Sequence, residues 1–200
     1  MSADIDIKDY QMNIAVFASG SGTTLQTLID KQSQYGYCVT LVVTNRECIA
    51  LERATKHNIP TLQTKDWEEI DKSLTNNNIK LIVLAGFLAI IPAWICKKWD
   101  KRIINIHPSL LPKFGGKGMY GIRVQEAVLA AGEKEAGCTV HYVSAEVDGG
   151  SIIAQTKVEV TDSDTAETLS LRVQQQEKIL LPQTIGKLLL ATEVIICEDC

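Results

Sequence analysis

Three side chains in this sequence are of the types needed to work on a carbonyl group: Asn105, His107 and Asp148. The run Ile103-Ile104-Asn105-Ile106-His107-Pro108 reads as a strand stopped by proline, which cannot continue in a central position. Strand alternation turns Asn105 and His107 to one face and Ile104 and Ile106 to the other. An amide can donate to a developing oxyanion, and an imidazole can donate a second hydrogen bond or a proton. An imidazole also titrates near neutral pH and responds to a nearby carboxylate. Asp148, in Val147-Asp148-Gly149-Gly150, is the candidate carboxylate, on a loop able to fold over the same edge. Each residue has a structural use as well. Asn and His at a strand end can cap neighbouring loops, and Asp-Gly-Gly is a common hairpin turn. His141 lies mid-strand, where it supports the site or fills the core; His57 reads as an ordinary helix C-terminal histidine.

A second group is the turn Ser19-Gly20-Ser21-Gly22-Thr23-Thr24 between an apolar run and a helical pattern. Glycines let backbone approach an anion, a new helix offers free N–H groups, and the hydroxyls add donors. The turn has the size of a cradle for one phosphate. A dinucleotide fingerprint fails, because Leu25 stands at the third glycine position and Thr44-Asn45 where an acid is wanted. A P-loop fails because no lysine follows the glycines. The remaining alternative is a tight strand-to-helix turn that binds nothing.

These residues need a scaffold, and the apolar patterning supplies one. Strands are expected at 13–17, 38–44, 80–84 and 103–106, with helices at 23–31, 49–57, 66–74 and 92–99 between them. Such alternation predicts a doubly wound, mostly parallel sheet of Rossmann type with helices on both faces. After about residue 137 the pattern changes to two strands, 138–143 and 151–160, joined by a loop short enough for an antiparallel hairpin. A long closing helix, interrupted by Pro182, is expected over 164–190.

The chain has 200 residues, 46% apolar and 22% charged, which is globular composition and suits one domain over 12–200. Residues 1–11 are polar and acidic, so they read as a short tail rather than a signal peptide. The net charge of -4 argues against a nucleic-acid scaffold. No apolar run reaches the roughly 18 residues of a membrane span, so the expected compartment is the cytoplasm. Four of the six cysteines, 38, 48, 96 and 138, lie in apolar or strand-like contexts. Cys197 and Cys200 form a terminal C-x-x-C without a second ligand pair, and no metal is expected.

Taken together, Ser-Gly-Ser-Gly-Thr, Leu84-Ala85-Gly86-Phe87, Asn-Ile-His-Pro-Ser-Leu-Leu-Pro, Val-His-Tyr-Val, Val-Asp-Gly-Gly and Arg172-Val173-Gln174 with Gln176-Glu177 mark a family. From about residue 12 to 190 the chain resembles the folate-dependent phosphoribosylglycinamide formyltransferases. The resemblance implies a formyltransferase-like fold and a reaction. The amine of 5-phosphoribosylglycinamide attacks the formyl carbon of 10-formyltetrahydrofolate, the co-substrate, through a tetrahedral intermediate. It assigns oxyanion stabilisation to Asn105 and protonated His107, with Asp148 supporting the imidazole and proton transfer. It places the substrate phosphate on Gly20, Ser21, Gly22, Thr23 and Thr24, and the glycyl amine at Glu177 with Gln174 beside it. It assigns the folate to Leu88, Ala89, Ile90, Ile91, Asn105 and Val147, with His141 and Ser109 in support. Family members often carry Asn at the position of Thr24, and some carry Arg at that of Ala89. The segment Lys113–Gly121 holds four of the chain's 13 glycines and is expected to be a mobile loop beside the site.

The implied partners are the two small-molecule substrates, with no nucleic acid or membrane, and a monomer or homodimer. Two other readings share these residues. One is a different folate-dependent formyltransferase, or a formyltetrahydrofolate hydrolase, on the same core. The other is a non-catalytic phosphate-ligand binding domain.

Overall fold

The structure, a computed structural model, describes residues 12–198, with side chains as far as Ala191. The expected tail at 1–11 and the Cys197/Cys200 side chains lie outside the described residues. The elements run β1 (Met12–Ala18), α1 (Thr23–Tyr35), β2 (Tyr37–Thr44), α2 (Ile49–Lys56), β3 (Thr61–Gln63), α3 (Trp67–Asn76) and β4 (Leu81–Leu84). They continue with α4 (Ala93–Lys98), β5 (Ile103–His107), α5 (Ile122–Ala130), β6 (Glu135–Tyr142), β7 (Ile152–Glu159) and α6 (Ala166–Glu198). The seven strands form one sheet in the order β3-β2-β1-β4-β5-β6-β7. Pairing is parallel from β3 to β5 and antiparallel from β5 to β7; the mostly parallel sheet and the β6–β7 hairpin agree with the patterning.

Strand alternation divides the core into two layers. Ile14, Val16 and Ala18 of β1 face α1 and α6 residues such as Leu28, Leu181 and Ile185, while Ala15 and Phe17 face α3 and α4 residues such as Leu74 and Ile95. On β2, Tyr37 and Val39 join the first layer, but so does Val42, with Leu41 and Val43 in the second. The parity changes at Thr40, the residue skipped where the β1–β2 register shifts. One extra residue thus re-aims the rest of β2 without exposing it. Phe17, Trp67 and Phe87 close the second layer as an aromatic cluster, with an edge-on Phe17–Phe87 contact at 5.2 Å between centroids.

Helix ends follow local chemistry. Asp66 caps α3 by accepting from the N–H groups of Glu68 and Glu69. Gly36 ends α1 in the left-handed conformation. Three departures from the sequence expectation stand out. The three-residue β3 and the helix α5 were not anticipated. The closing helix is not interrupted at Pro182 but runs through it to Glu198. Proline removes one helical hydrogen bond, yet Leu180, Leu181 and Ile185 on either side of it are all buried in the first layer. Tertiary packing therefore holds the helix where propensity alone would break it. No helix among the described residues is long and apolar enough to cross a membrane.

Leu181 is fully buried beside that proline. Leu181→Ala is expected to destabilise the fold by about 2–5 kcal/mol, read as a lowered urea midpoint; an unchanged midpoint would mean that α6 is not docked there.

Candidate active site

In the parallel part of the sheet the strand order reverses between β1 and β4, and open α/β sheets bind ligands at the carboxyl ends beside such a point. A cleft of about 570 Å³ opens there. Its walls are the glycine turn after β1, the segment after β4, the end of β5, the 116–121 loop, the β6–β7 loop and one face of α6. Every predicted site residue lines this cleft except Ser109.

Asn105 and His107 leave β5 on the same side, with Ile104 and Ile106 in the first core layer behind them. Antiparallel pairing sets His141 of β6 directly opposite Asn105. The Nδ2 of Asn105 lies 3.1 Å from His141 Nε2, and His141 Nδ1 donates to Tyr142 O at 2.9 Å. Asp148 sits between two imidazoles. Its Oδ2 is 3.6 Å from His107 Nδ1 and its Oδ1 is 3.6 Å from His141 Nε2. Gly116 N–H donates to Asp148 Oδ2 at 2.9 Å. Asp148 adopts φ +55°, a left-handed conformation that aspartate tolerates better than most residues.

The ring of His107 is buried, and its Nε2 donates to Phe114 O at 2.9 Å. A carbonyl can only accept, so this contact places a proton on Nε2 and leaves Nδ1 toward Asp148. Ser109, expected in a supporting role, lies behind the cleft rather than lining it. It is fully buried, its Oγ donates to Lys113 O, and its own carbonyl accepts from Thr139 Oγ1. Gln155 donates to Leu111 O and Thr139 Oγ1, and Gln125 of α5 donates to Pro108 O at 2.7 Å. These side chains set the 108–114 turn that delivers the Phe114 carbonyl to His107. Apart from Ser109 and Lys113, four residues apart, the partners are distant along the chain, and sequence spacing does not announce them.

The glycine turn is equally braced. Gly22 has φ +68°, and a Cβ there would lie 2.8 Å from Ala50 Cα, so only glycine fits. It begins α1 with no side-chain cap. Arg46 donates to Ser19 O and Arg53 to Ser21 O, which turns two cations onto the turn's backbone. Ser19 Oγ donates to Asn45 Oδ1 and accepts from Leu88 N–H, tying the turn to the segment after β4. Asn45, where a dinucleotide site would carry an acid, is thus a structural partner here.

On α6, Gln174, Glu177 and Lys178 line the cleft. Burial pushes the Glu177 carboxyl up to about 7, against the pull of Lys178. Burial pushes His141 down from the usual imidazole range, while Asp148 pulls it up. Lys117 and Lys178 are cleft cations that sequence reasoning missed; a lysine outside a recognised motif carries no distinguishing signal. No cluster of three or more His, Cys, Asp or Glu suited to a metal ion occurs among the described residues.

The chain belongs to the formyl transferase family, which it matches over residues 12–185. Within that family it is similar to the chloroplastic phosphoribosylglycinamide formyltransferase of Arabidopsis thaliana, at 37% identity over 93% of this chain and 65% of that one. It is 40% identical to the trifunctional purine biosynthetic protein adenosine-3 of Chironomus tentans over 86% of this chain but 13% of that protein. The chain thus spans less than two thirds of the length of these curated relatives. The crystal structure of phosphoribosylglycinamide formyltransferase from Anaplasma phagocytophilum superposes with a TM-score of 0.84 at 36% identity, covering 90% of this chain and 88% of that one.

A carboxyl raised from 4.5 to about 7 keeps its proton in the folded state over a range where the unfolded chain releases it. Stability contributed by this group is full below the lower value and lost as pH rises through the upper one. Glu177→Gln, which cannot ionise, is therefore expected to gain stability over the parent across that window and to keep the gain above it. Denaturant titrations of both proteins against pH measure this; a pH-independent difference would refute the shift.

Proposed function

We propose that this chain, acting as one formyltransferase domain, transfers the formyl group of 10-formyltetrahydrofolate to the amine of 5-phosphoribosylglycinamide in de novo purine biosynthesis. The observation that carries the reading is the convergence of Asn105, His107 and Asp148 in a cleft that the glycine turn also lines. The relatives' names agree with it.

Each part of the cleft then has work to do. Asn105 donates from its amide to the oxyanion that forms when the amine adds to the formyl carbon. His107 is the second donor. Because Phe114 O occupies Nε2, the nitrogen left for proton work is Nδ1, on the side of Asp148. Asp148 balances the charge of a protonated His107 and takes up the proton shed by the amine; as the intermediate collapses, the bond from the formyl carbon to the folate nitrogen breaks and a proton passes to that nitrogen, releasing tetrahydrofolate. The backbone N–H groups and hydroxyls at Gly20–Thr24 hold the phosphate at the start of α1, where the helix dipole favours an anion. Glu177 and Gln174 take the glycyl amine. A carboxyl poised near neutrality suits this role, since it can meet the amine as either acceptor or donor. The folate lies against Leu88–Ile91 and Val147, where the apolar side chains Leu88, Ile90 and Val147 are exposed at the cleft's rim.

The test is a coupled assay. Tetrahydrofolate release is expected to require phosphoribosylglycinamide. Equal release without the amine would favour a hydrolase, and tight ligand binding without turnover would favour a binding module. His107→Ala is expected to lower kcat by about 10²–10⁴-fold with little change in substrate binding; unchanged turnover would remove His107 from the mechanism.

A further inference from the structure

We propose that His141 is a positioning residue: the lone pair on its Nε2 fixes which atom of the Asn105 amide turns inward, and so which N–H the cleft can use. The proposal rests on the formyl-transfer reading for its catalytic consequence, but the geometry stands apart from it.

His141 is 1% exposed and lines the cleft beside Asn105. Its hydrogen bonds are constrained from both sides. Tyr142 O can only accept, so the proton of a neutral ring sits on Nδ1, where the 2.9 Å contact is made. That leaves Nε2 as an acceptor. The atom facing it, at 3.1 Å, is Asn105 Nδ2, which can only donate. Donor and acceptor match along the whole chain from Asn105 through the ring to Tyr142 O. With the amide reversed, Asn105 Oδ1 would face the Nε2 lone pair, acceptor against acceptor, in a buried setting where such a mismatch is costly. The neutral ring therefore selects one of the two amide orientations, and the second N–H on Nδ2 is the donor left for an oxyanion.

Protonation reverses the logic. A proton on Nε2 would face Asn105 Nδ2 donor to donor, and would instead favour Asp148 Oδ1, 3.6 Å away, or a flipped Asn105 Oδ1. The charged or titratable groups acting on His141 are Asp148, from the loop after β6, and His107, from β5. From β7 the residue in register is the apolar Ile152. Of these, Asp148 draws a proton to His141, whereas a charged His107 and the burial of the ring oppose it. The neutral state is thus the one the site is built around, and gaining a proton at acid pH withdraws Asn105 from service.

Two substitutions and one spectrum test this. His141→Leu removes the acceptor and is expected to lower kcat by about 100-fold, while KM for either substrate stays within a few-fold. His141→Gln returns an acceptor oxygen near the Nε2 position and is expected to recover most of that loss. It should also lose the part of the acid limb of the pH–kcat profile that belongs to His141. Equal loss in both variants, or parent-like kcat in the leucine variant, would overturn the proposal. The third readout needs neither turnover nor a variant. In ¹⁵N spectra of the parent protein at neutral pH, His141 should show an unprotonated, pyridine-type Nε2, with the Asn105 side-chain N–H shifted by hydrogen bonding to it. A protonated Nε2 under those conditions would overturn the proposal whether or not the protein transfers formyl groups. Inactivity of the parent with this spectrum intact would count against the transfer reading alone.

Discussion

The site is organised around one half-buried carboxylate. Asp148 faces His107 with one oxygen and His141 with the other, and takes a backbone N–H from Gly116. A charge in such a place is stable only when it is paired and hydrogen-bonded. Two segments must therefore come together to hold it, the end of β5 with His107 and the turn beginning at Gly115, while His141 of β6 lies against its other oxygen. The left-handed backbone of Asp148 is part of the arrangement, since the short polar side chain is delivered from a loop that has to turn sharply. Glycine at 115 lets the turn approach: a Cβ there would lie 3.4 Å from that of Asp148 and 2.5 Å from Leu111 Cδ2.

The two imidazoles beside this carboxylate are chemically different, and backbone carbonyls make them so. Phe114 O holds His107 by Nε2, and Tyr142 O holds His141 by Nδ1. One ring thus turns Nδ1 toward the carboxylate and the other turns Nε2. Which nitrogen is free is decided by the fold, through the 108–114 turn in one case and the β6 backbone in the other. The buried polar side chains Ser109, Thr139 and Gln125 do not touch the cleft, yet they set the turn that decides the His107 tautomer. A loosened turn would free Nε2 and blur the difference between the rings.

Much of this arrangement was visible in the amino-acid order, and the limits have physical causes. Alternation along 103–107 was enough to put Asn105 and His107 on one side, because a strand permits only two faces. The hairpin after residue 137 was visible in the change of pattern. Yet only the register of β5 against β6 sets His141 across from Asn105, and register depends on pairing that no local pattern encodes. The helix α5 has Val124 and Val128 four residues apart and both buried, a signal short enough to be lost beside the glycine-rich segment before it. At Pro182 the local rule gave the wrong answer, since apolar contacts on both sides outweigh one missing hydrogen bond. Ser109 was expected in support, but how it supports, by bracing the turn behind His107, depends on contacts that residue type alone does not show.

The glycine turn and the carboxylate cluster come from opposite ends of the β1–β4–β5 stretch of sheet, and their relation is not left to the sheet alone. Ser19 Oγ bridges from Asn45 at the end of β2 to the N–H of Leu88 after β4. Ser19 N–H also donates to Gly86 O. The β4 strand in turn pairs Leu84 with Asn105. A continuous set of backbone and buried side-chain bonds therefore runs from the glycine turn, across the segment that borders the apolar wall of the cleft, to Asn105. The proposed transfer needs the glycine turn, the apolar wall and the Asn105 amide held at fixed separation, because the cost of a small misplacement falls directly on the rate. Here that separation is set by strands and short polar bridges, while the glycine-rich 116–121 segment forms a further wall.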